Sequence, residues 1–253
     1  PANQLGDWRA LLARTDIDAV GLAMGPKQHH EVGLAAIARG LPLFIEKPPA
    51  VTSRQAQELA DAAKARGVPI VVGFMKRYST ANRIAANVIR APEFGETASF
   101  LGQYMTAPTY FAGDVDYTGF YLHHCVHYFD LVPHLMGEVA SVGARRHELE
   151  PGKLLLHVDF RFRNLHEVRY FRSPPFKVSR DDATLADGQD TLVWEPNLTV
   201  AANEDHKGYH AILGGFVRAA RGEAVDLPDA AAGARALALL EQAIAAADTD
   251  RGQ

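Results

Sequence analysis

The chain has 253 residues, of which 47% are apolar and 22% are charged, and these fractions are typical of a globular protein with a sizeable core. The formal net charge of -4 gives no electrostatic basis for binding nucleic acid or an anionic membrane. The single cysteine excludes an internal disulfide, and no apolar run reaches the roughly 20 residues of a membrane span, so we expect a cytoplasmic protein.

The first part of the chain alternates between strand and helix patterns. After a short helix near residues 5–12, apolar runs predict strands over 18–24, 43–45 and 69–74. Helices are predicted over 29–39 and 53–66, the second capped by Thr52 or Ser53 and ended by Gly67. Short loops between these elements predict parallel strands joined by right-handed crossovers. This pattern indicates part of a doubly wound, Rossmann-like sheet.

The pattern changes after Arg77. Helices are predicted near 80–89 and 119–136, strands near 97–105 and through most of 140–200, and two closing helices over 209–221 and 229–247. Alternation within 154–162 favours an antiparallel sheet with one covered face. We therefore expect an α/β unit over residues 1–78 and an α+β unit with a largely antiparallel open sheet over 79–253. The last helix is expected to pack back on the first unit.

Polar residues follow the second predicted strand as Glu46-Lys47-Pro48. In open α/β sheets, ligands bind at the carboxyl ends of the strands. An ammonium group at that edge can be tuned by burial into a general acid or base, which makes Lys47 a candidate catalytic residue. The structural alternative is a solvated lysine at a strand exit.

The predicted helix over 119–136 carries a stripe of titratable side chains. His123, His127, Asp130 and His134 step by four, three and four residues, so a helix would place them on one face. The stripe is consistent with proton handling beside a substrate, or with a metal ion shared by His123 and His127. The structural alternative is a set of histidines that are hydrogen-bonded in a domain interface.

Three further positions belong with this stripe. Tyr121 and His124 lie next to it in the sequence and are candidate substrate contacts. Pro133 is expected to bend or end the helix, which makes His134 its weakest member.

Two other strand exits carry polar residues. Arg77, shortly after the third strand, has a fork of donors that suits a carboxylate or a hydroxyl-rich substrate, or alternatively a neighbouring acid. Pro26, His29 and His30 follow the first strand and face the same expected crevice.

These segments occur in a recognisable order. The order runs from Asp18-Ala19-Val20 through Pro26, His30, Glu46-Lys47-Pro48, the helix capped at Thr52, Gly73-Phe74 and Arg77 to His127-x-x-Asp130 and Gly137. In this order the chain resembles the Gfo/Idh/MocA family of NAD(P)-dependent oxidoreductases. The resemblance runs over most of the chain, although it is loose in the sheet region.

The resemblance implies a small-molecule substrate that is a sugar, a polyol or a related hydroxy compound. It implies that Lys47 contacts the reacting hydroxyl and that His127 is the acid/base, with NAD or NADP near Pro26, His30 and Glu46. Where the family commonly has Asp four residues before the catalytic histidine, this chain has His123, so the usual proton relay is altered. The open sheet of residues 79–253 is expected to form a homo-oligomer or to pair with a full-length relative.

No glycine-rich turn of the G-x-G-x-x-G type occurs in the sequence, although the family begins with one. Relative to the family, about 50–60 residues of the nucleotide-binding half are absent from the sequence. Three functions stay open on this basis. They are an NAD(P)-dependent oxidoreductase, a cofactor-free lyase, isomerase or cyclase, and a non-catalytic partner subunit.

Overall fold

A parallel sheet organises the N-terminal part of the molecule. The computed structural model describes residues 4–94, 97, 100, 121–150, 153–162, 179–180, 183–184 and 207–249. Strands β1 (Val20–Leu22), β2 (Leu43–Ile45) and β3 (Ile70–Val72) lie side by side in that order, with Val20 opposite Leu43 and Leu43 opposite Ile70. The predicted strands and their parallel pairing are confirmed, although β1 and β3 are shorter than the apolar runs suggested.

Helices α1 (Trp8–Leu12), α2 (Pro26–Ala38) and α3 (Ser53–Arg66) accompany this sheet. Helix α2 begins earlier than predicted because Pro26 occupies its first turn, where a proline loses no helical hydrogen bond. In α3 the predicted cap is Thr52, whose Oγ1 accepts from the backbone N–H of Gln55 at 3.2 Å. Gly67 ends α3 in the left-handed region at φ 65°.

The strands are buried on both faces, as is typical of a parallel sheet. One face packs on α2 and α3, where Gly33 lets Leu59 approach so closely that a Cβ at residue 33 would lie 2.9 Å from Leu59 Cδ2. The other face packs on α6 (Tyr209–Ala220), where the rings of Phe44 and Phe216 lie 5.8 Å apart. The carboxyl edge of the sheet is thereby held between helices.

The remaining elements combine helices and antiparallel strands. After a 3₁₀ turn (Met75–Tyr78) come α4 (Thr80–Arg90), a second 3₁₀ turn (Pro92–Phe94), a π-helical turn (Tyr121–Cys125) and α5 (Val126–Met136). Antiparallel pairs follow, β4 (Val139–Glu150) with β5 (Lys153–Phe162) and β6 (Ser179–Arg180) with β7 (Ala183–Thr184). The predicted antiparallel character is confirmed for these strands.

Helix α5 departs from the sequence expectation at Pro133. The proline lies inside the helix, which continues to Met136 and ends at Gly137 with φ 93°. Of the two predicted effects of Pro133, ending the helix is therefore wrong, and bending it stays a prediction. A proline is tolerated here because the helix closes within one further turn, so only its last turn is affected.

The last helix is α7 (Ala230–Thr249), close to the predicted range 229–247. Its 20 residues are long and apolar enough to cross a membrane, although half of the apolar window is buried inside the protein. Helix α7 packs on α3, α5, β3 and β4. Its residue Gly233 lies so close to the turn after β2 that an added Cβ would be 2.6 Å from Pro49 Cγ. These contacts identify an interior helix that supports the carboxyl edge of the sheet.

Candidate active site

The turn after β2 meets the π-helical turn. The ammonium group of Lys47 donates to the backbone carbonyl of His123 at 2.8 Å. The Lys47–Pro48 peptide bond is cis. This contact joins residues 76 positions apart in the sequence, so the exit of β2 meets the segment that bears the histidines.

His127 lies in the same cluster as Lys47. Its side chain packs edge-on against Phe74, with ring centroids 6.3 Å apart, and the residue is only 4% exposed. Burial lowers the pKa of His127 well below its usual range, and the charges of Lys47 and Lys76 lower it further. Its Nδ1 is buried and has no hydrogen-bond partner among the described residues. His127 is therefore a neutral, partly unsatisfied imidazole beside an ammonium group.

Glu46 and Lys47 have opposed electrostatic environments. Burial raises the pKa of the Glu46 carboxyl, against the lowering effects of the Lys47 N–H and ammonium. Burial lowers the pKa of Lys47; Glu46 opposes that change, and Lys76 adds to it. The Glu46 carboxyl fits over Gly73, where a Cβ would lie 3.1 Å from its Cδ. Both groups are thus held away from water at the carboxyl edge of the sheet.

Lys76 is a cluster member that sequence reasoning missed. Its Nζ lies 5.2 Å from the ring centroid of Tyr128, within cation–π distance. Burial lowers the pKa of Lys76, and its charge lowers those of Lys47, His124 and His127. Lys76 follows β3 as Lys47 follows β2, and this shared placement after a strand could have identified Lys76 from the sequence.

The other two histidines of the π-helical turn complete the cluster. The rings of His123 and His124 meet edge-on with centroids 4.7 Å apart. Burial and the charge of Lys47 lower the pKa of His123 to about 4, and burial with Lys47 and Lys76 also lowers that of His124. These rings are therefore neutral near pH 7. The backbone of Tyr121 belongs to this turn, while its side chain lies outside the described part of the chain.

Arg77 and Asp130 form a separate polar pair. Arg77 Nε donates to Asp130 Oδ2 at 2.8 Å, and Nη2 donates to Oδ1. The side chains are 16% and 1% exposed. Burial raises the pKa of Asp130, and the guanidinium opposes that rise. Burial lowers the pKa of Arg77, but the hydrogen bond and charge of Asp130, together with the charges of Tyr78 and Asp226, raise it overall. The two-point geometry is that of an ion pair, and the assignment of either residue to the substrate stays a prediction.

His134 lies beyond this pair, beside a cavity of about 290 Å³ that Arg77, Arg83 and Arg90 also line. Burial and the charges of Arg77 and Arg90 lower its pKa to about 4. His127 and His134 are separated by about 10 Å along the helix axis. His127 therefore lies with Lys47, whereas His134 lies beside the separate cavity that the arginines line.

Helix α2, which follows β1, brings His29 to the candidate site, and the assignment of His30 to the cofactor stays a prediction. His29 is fully buried; its Nδ1 donates to the carbonyl of Pro48 at 2.8 Å, and its Nε2 accepts from the N–H of Met24 at 3.3 Å. His30 Nε2 lies 2.8 Å from Glu58 Oε2 on α3, outside hydrogen-bond geometry. Helical spacing contained this signal, since His29 shares the inward face of α2 with Val32.

Two predictions remain, the cofactor contact of Pro26 and the metal ion shared by His123 and His127. Pro26 is buried at the start of α2, at the carboxyl end of β1. Among the residues with described positions, no group of three His, Cys, Asp or Glu side chains is arranged to hold a metal ion.

Parts of the sequence are similar to those of known oxidoreductases. Residues 2–74 match the family model described as "Oxidoreductase family, NAD-binding Rossmann fold". An inositol 2-dehydrogenase of Pseudomonas savastanoi pv. phaseolicola is 40% identical over 96 residues, or 38% of this chain and 29% of that protein. A levoglucosan dehydrogenase of Pseudarthrobacter phenanthrenivorans is 28% identical over 151 residues, or 56% of this chain and 39% of that protein. The matches thus span less than half the length of these relatives.

Solved structures extend the similarity of fold over most of the chain. A dehydrogenase from Chromobacterium violaceum superposes with a TM-score of 0.73 at 21% identity, covering 96% of this chain and 80% of that one. A levoglucosan dehydrogenase in complex with NADH and levoglucosan gives 0.71 at 20% identity, covering 97% and 82%. The parallel sheet followed by an antiparallel one therefore defines the fold of Rossmann-type dehydrogenases. Within that class, residues 2–74 are similar to the Gfo/Idh/MocA oxidoreductase family.

Proposed function

We propose that the protein is an NAD(P)-dependent oxidoreductase that acts on a secondary hydroxyl of a sugar or polyol, with Lys47 and His127 handling the hydroxyl proton. The observation that carries the proposal is the contact between Lys47 Nζ and the carbonyl of His123, which holds the ammonium beside a buried imidazole. The relatives named inositol 2-dehydrogenase and levoglucosan dehydrogenase support the substrate class.

The chemistry assigned to the two residues follows from their charges. A neutral His127 can accept the hydroxyl proton, and its unpartnered Nδ1 has capacity for a ligand or a water molecule. The Lys47 ammonium donates to the same oxygen and stabilises the negative charge that develops on it. Burial strengthens both effects because water does not screen them. The product is a carbonyl compound with one proton left on the protein.

NAD(P)+ supplies the hydride acceptor when it is bound. Pro26 and Glu46, at the carboxyl ends of β1 and β2, would lie beside its nicotinamide end. Glu46 fits this role because its partly buried carboxyl accepts the N–H of Lys47 at 3.2 Å, and a carboxylate has more acceptor positions than this one bond uses. We assign no pyrophosphate cradle, because the glycine-rich turn that forms it in relatives is not in this sequence. In this proposal the enzyme is cytoplasmic and forms homo-oligomers through its antiparallel sheet.

A cofactor-free proton-transfer enzyme is the second candidate, favoured by His123, which stands where the family resemblance implies an aspartate. Titrating the full polypeptide with NADH and NADPH by fluorescence separates the two candidates. Saturable micromolar binding favours the oxidoreductase, whereas no binding together with lyase or isomerase activity favours the second candidate.

Lys47→Met tests the catalytic assignment. With NAD+ or NADP+ and a panel that includes myo-inositol and levoglucosan, we expect kcat to fall by about 10²- to 10⁴-fold while the circular dichroism spectrum is unchanged. The control is Lys64→Met, an exposed lysine in the last turn of α3, at the opposite edge of the sheet. Full turnover by Lys47→Met would refute the role of Lys47.

A further inference from the structure

We propose that Gly233 is a positioning residue for Lys47. At Gly233, helix α7 contacts the turn after β2, and this turn directs the Lys47 ammonium group to its acceptor. The inference rests on the proposed function, because it takes Lys47 as the residue that contacts the reacting hydroxyl. It makes turnover depend on a residue that has no functional group of its own.

The first step is the distance between α7 and the turn after β2. A Cβ built on Gly233 would lie 2.6 Å from Pro49 Cγ. Carbon atoms in ordinary contact are about 3.5–4.0 Å apart, so an alanine at this position requires a displacement of about 1 Å. Because the Pro49 ring is bonded to its own backbone nitrogen, a displacement of the ring passes to the chain next to Lys47.

The second step is the choice of glycine inside a helix. Gly233 follows three alanines, residues 230–232, within α7. Alanine favours a helix more than glycine does, because glycine loses more backbone freedom on folding. The Gly233 N–H donates to the Asp229 carbonyl at 3.1 Å, as in a regular helical turn. Helical winding therefore does not require glycine here, whereas the close approach to Pro49 does.

The third step is the anchoring of α7, which decides what moves. Just before the helix, the Pro228 carbonyl accepts from the N–H of Val72 on β3 at 2.8 Å. Further along the helix, the Glu241 carboxylate accepts from the backbone N–H of Ser53 at 2.7 Å and from its hydroxyl at 2.5 Å. The helix is thus tied to the sheet on one side of Gly233 and to α3 on the other. The turn after β2 therefore takes up the displacement.

The fourth step is the support on the opposite side of this turn. His29 on α2 is fully buried, and its Nδ1 donates to the Pro48 carbonyl at 2.8 Å. Pro48 and Pro49 are therefore held between α2 and α7. Lys47 precedes them and donates to the His123 carbonyl at 2.8 Å. A displacement of Pro49 against a fixed Pro48 carbonyl changes the direction of the Lys47 side chain.

The test measures the kinetics of Gly233→Ala with the substrate panel named above. A displacement of about 1 Å can reduce a rate by about 10²-fold, so we expect kcat to fall by about 10- to 100-fold. KM should change by less than about threefold, because the loss falls on the transition state. The control is Gly214→Ala inside α6, where a Cβ would meet no atom of the described residues within 4 Å and kcat should equal that of the wild type. Unchanged kcat in Gly233→Ala, in an enzyme that Lys47→Met inactivates, would overturn the inference and leave the proposed function intact.

Pro49→Ala removes the atom that the new Cβ would meet, and so it provides a rescue. We expect kcat of the double variant Pro49→Ala/Gly233→Ala to lie within about threefold of that of Pro49→Ala alone, because contacting positions are not additive. Should Gly233→Ala fail to fold, the double variant decides. Turnover like that of Pro49→Ala supports the contact, whereas loss of turnover in the double variant overturns it.

A measurement without turnover decides the inference if the proposed function fails, as full turnover by Lys47→Met or an inactive wild type would show. Reductive methylation with peptide mass spectrometry gives the reactivity of Lys47 relative to the exposed Lys64. Weakening the hydrogen bond to the His123 carbonyl should raise this ratio by about two- to tenfold in Gly233→Ala. Gly214→Ala should leave the ratio unchanged. An unchanged ratio in Gly233→Ala would overturn the inference whether or not the proposed function stands.

Discussion

Two buried polar sites lie along helix α5 and differ in how their hydrogen bonds are satisfied. Arg77 and Asp130 satisfy each other through two contacts, and the charges cancel. Lys47 and His127 do not form such a pair, because the lysine is positively charged and the histidine is neutral. His127 Nδ1 also has no hydrogen-bond partner among the described residues. The first arrangement stabilises a fold, whereas the second keeps capacity for a ligand. Residue type alone does not distinguish them.

Breaking the satisfied site should have the largest effect. Asp130→Ala leaves the Arg77 guanidinium buried without its partner, and the loss of one member of a buried ion pair costs about 3–5 kcal/mol. We expect the free energy of unfolding in urea to fall by that amount. The control is Arg54→Ala, which removes the exposed pair with Glu58 and should cost less than about 1 kcal/mol. Equal losses in the two variants would contradict the structural role of Asp130.

The next effect concerns the histidine that ties the two strand exits together. His29→Leu leaves the Pro48 carbonyl and the Met24 N–H unpaired in the interior, so the free energy of unfolding should fall by about 2–4 kcal/mol. His30→Leu, the neighbouring control, should cost less than about 1 kcal/mol because the contact of His30 with Glu58 is partly exposed to solvent. We expect kcat to fall more than KM changes in His29→Leu, since the Lys47 turn loses its support. A larger loss in His30→Leu would reverse the assignment.

The smallest change in stability is expected at the unsatisfied site. His127→Leu removes a buried nitrogen that has no described partner and replaces it with an apolar group, so unfolding free energy should stay within about 1 kcal/mol of wild type. Turnover should still fall by about 10²- to 10⁴-fold, because the proton acceptor is gone. The exposed His210→Leu serves as the control for both measurements. A loss of several kcal/mol in His127→Leu would show that its role is structural.

Much of the parallel half could be predicted because its signals are local. The strand at Leu43–Ile45 is an apolar run, Thr52 caps α3, and Gly67 ends it, each through contacts within a few residues. The placement of Lys47 at a strand exit followed from the same local pattern. These features depend on neighbouring positions that the sequence displays directly.

The errors arose where distant parts of the chain decide the outcome. Pro133 breaks an isolated helix, but here it lies one turn from an end set by Gly137. Arg77 pairs with Asp130, which lies 53 residues away in the sequence. No local sequence pattern indicates which acidic residue an arginine will pair with.

The π-helical turn at Tyr121–Cys125 has a consequence for how this segment tolerates insertions and deletions. Such a turn holds one residue more than an α-helical turn, so the extra residue is absorbed locally. Deleting a single residue from the turn would restore α-helical winding without rotating the helix that follows. In that winding the carbonyl of residue 123 would accept from the N–H four residues on, in competition with the Lys47 ammonium that it now receives.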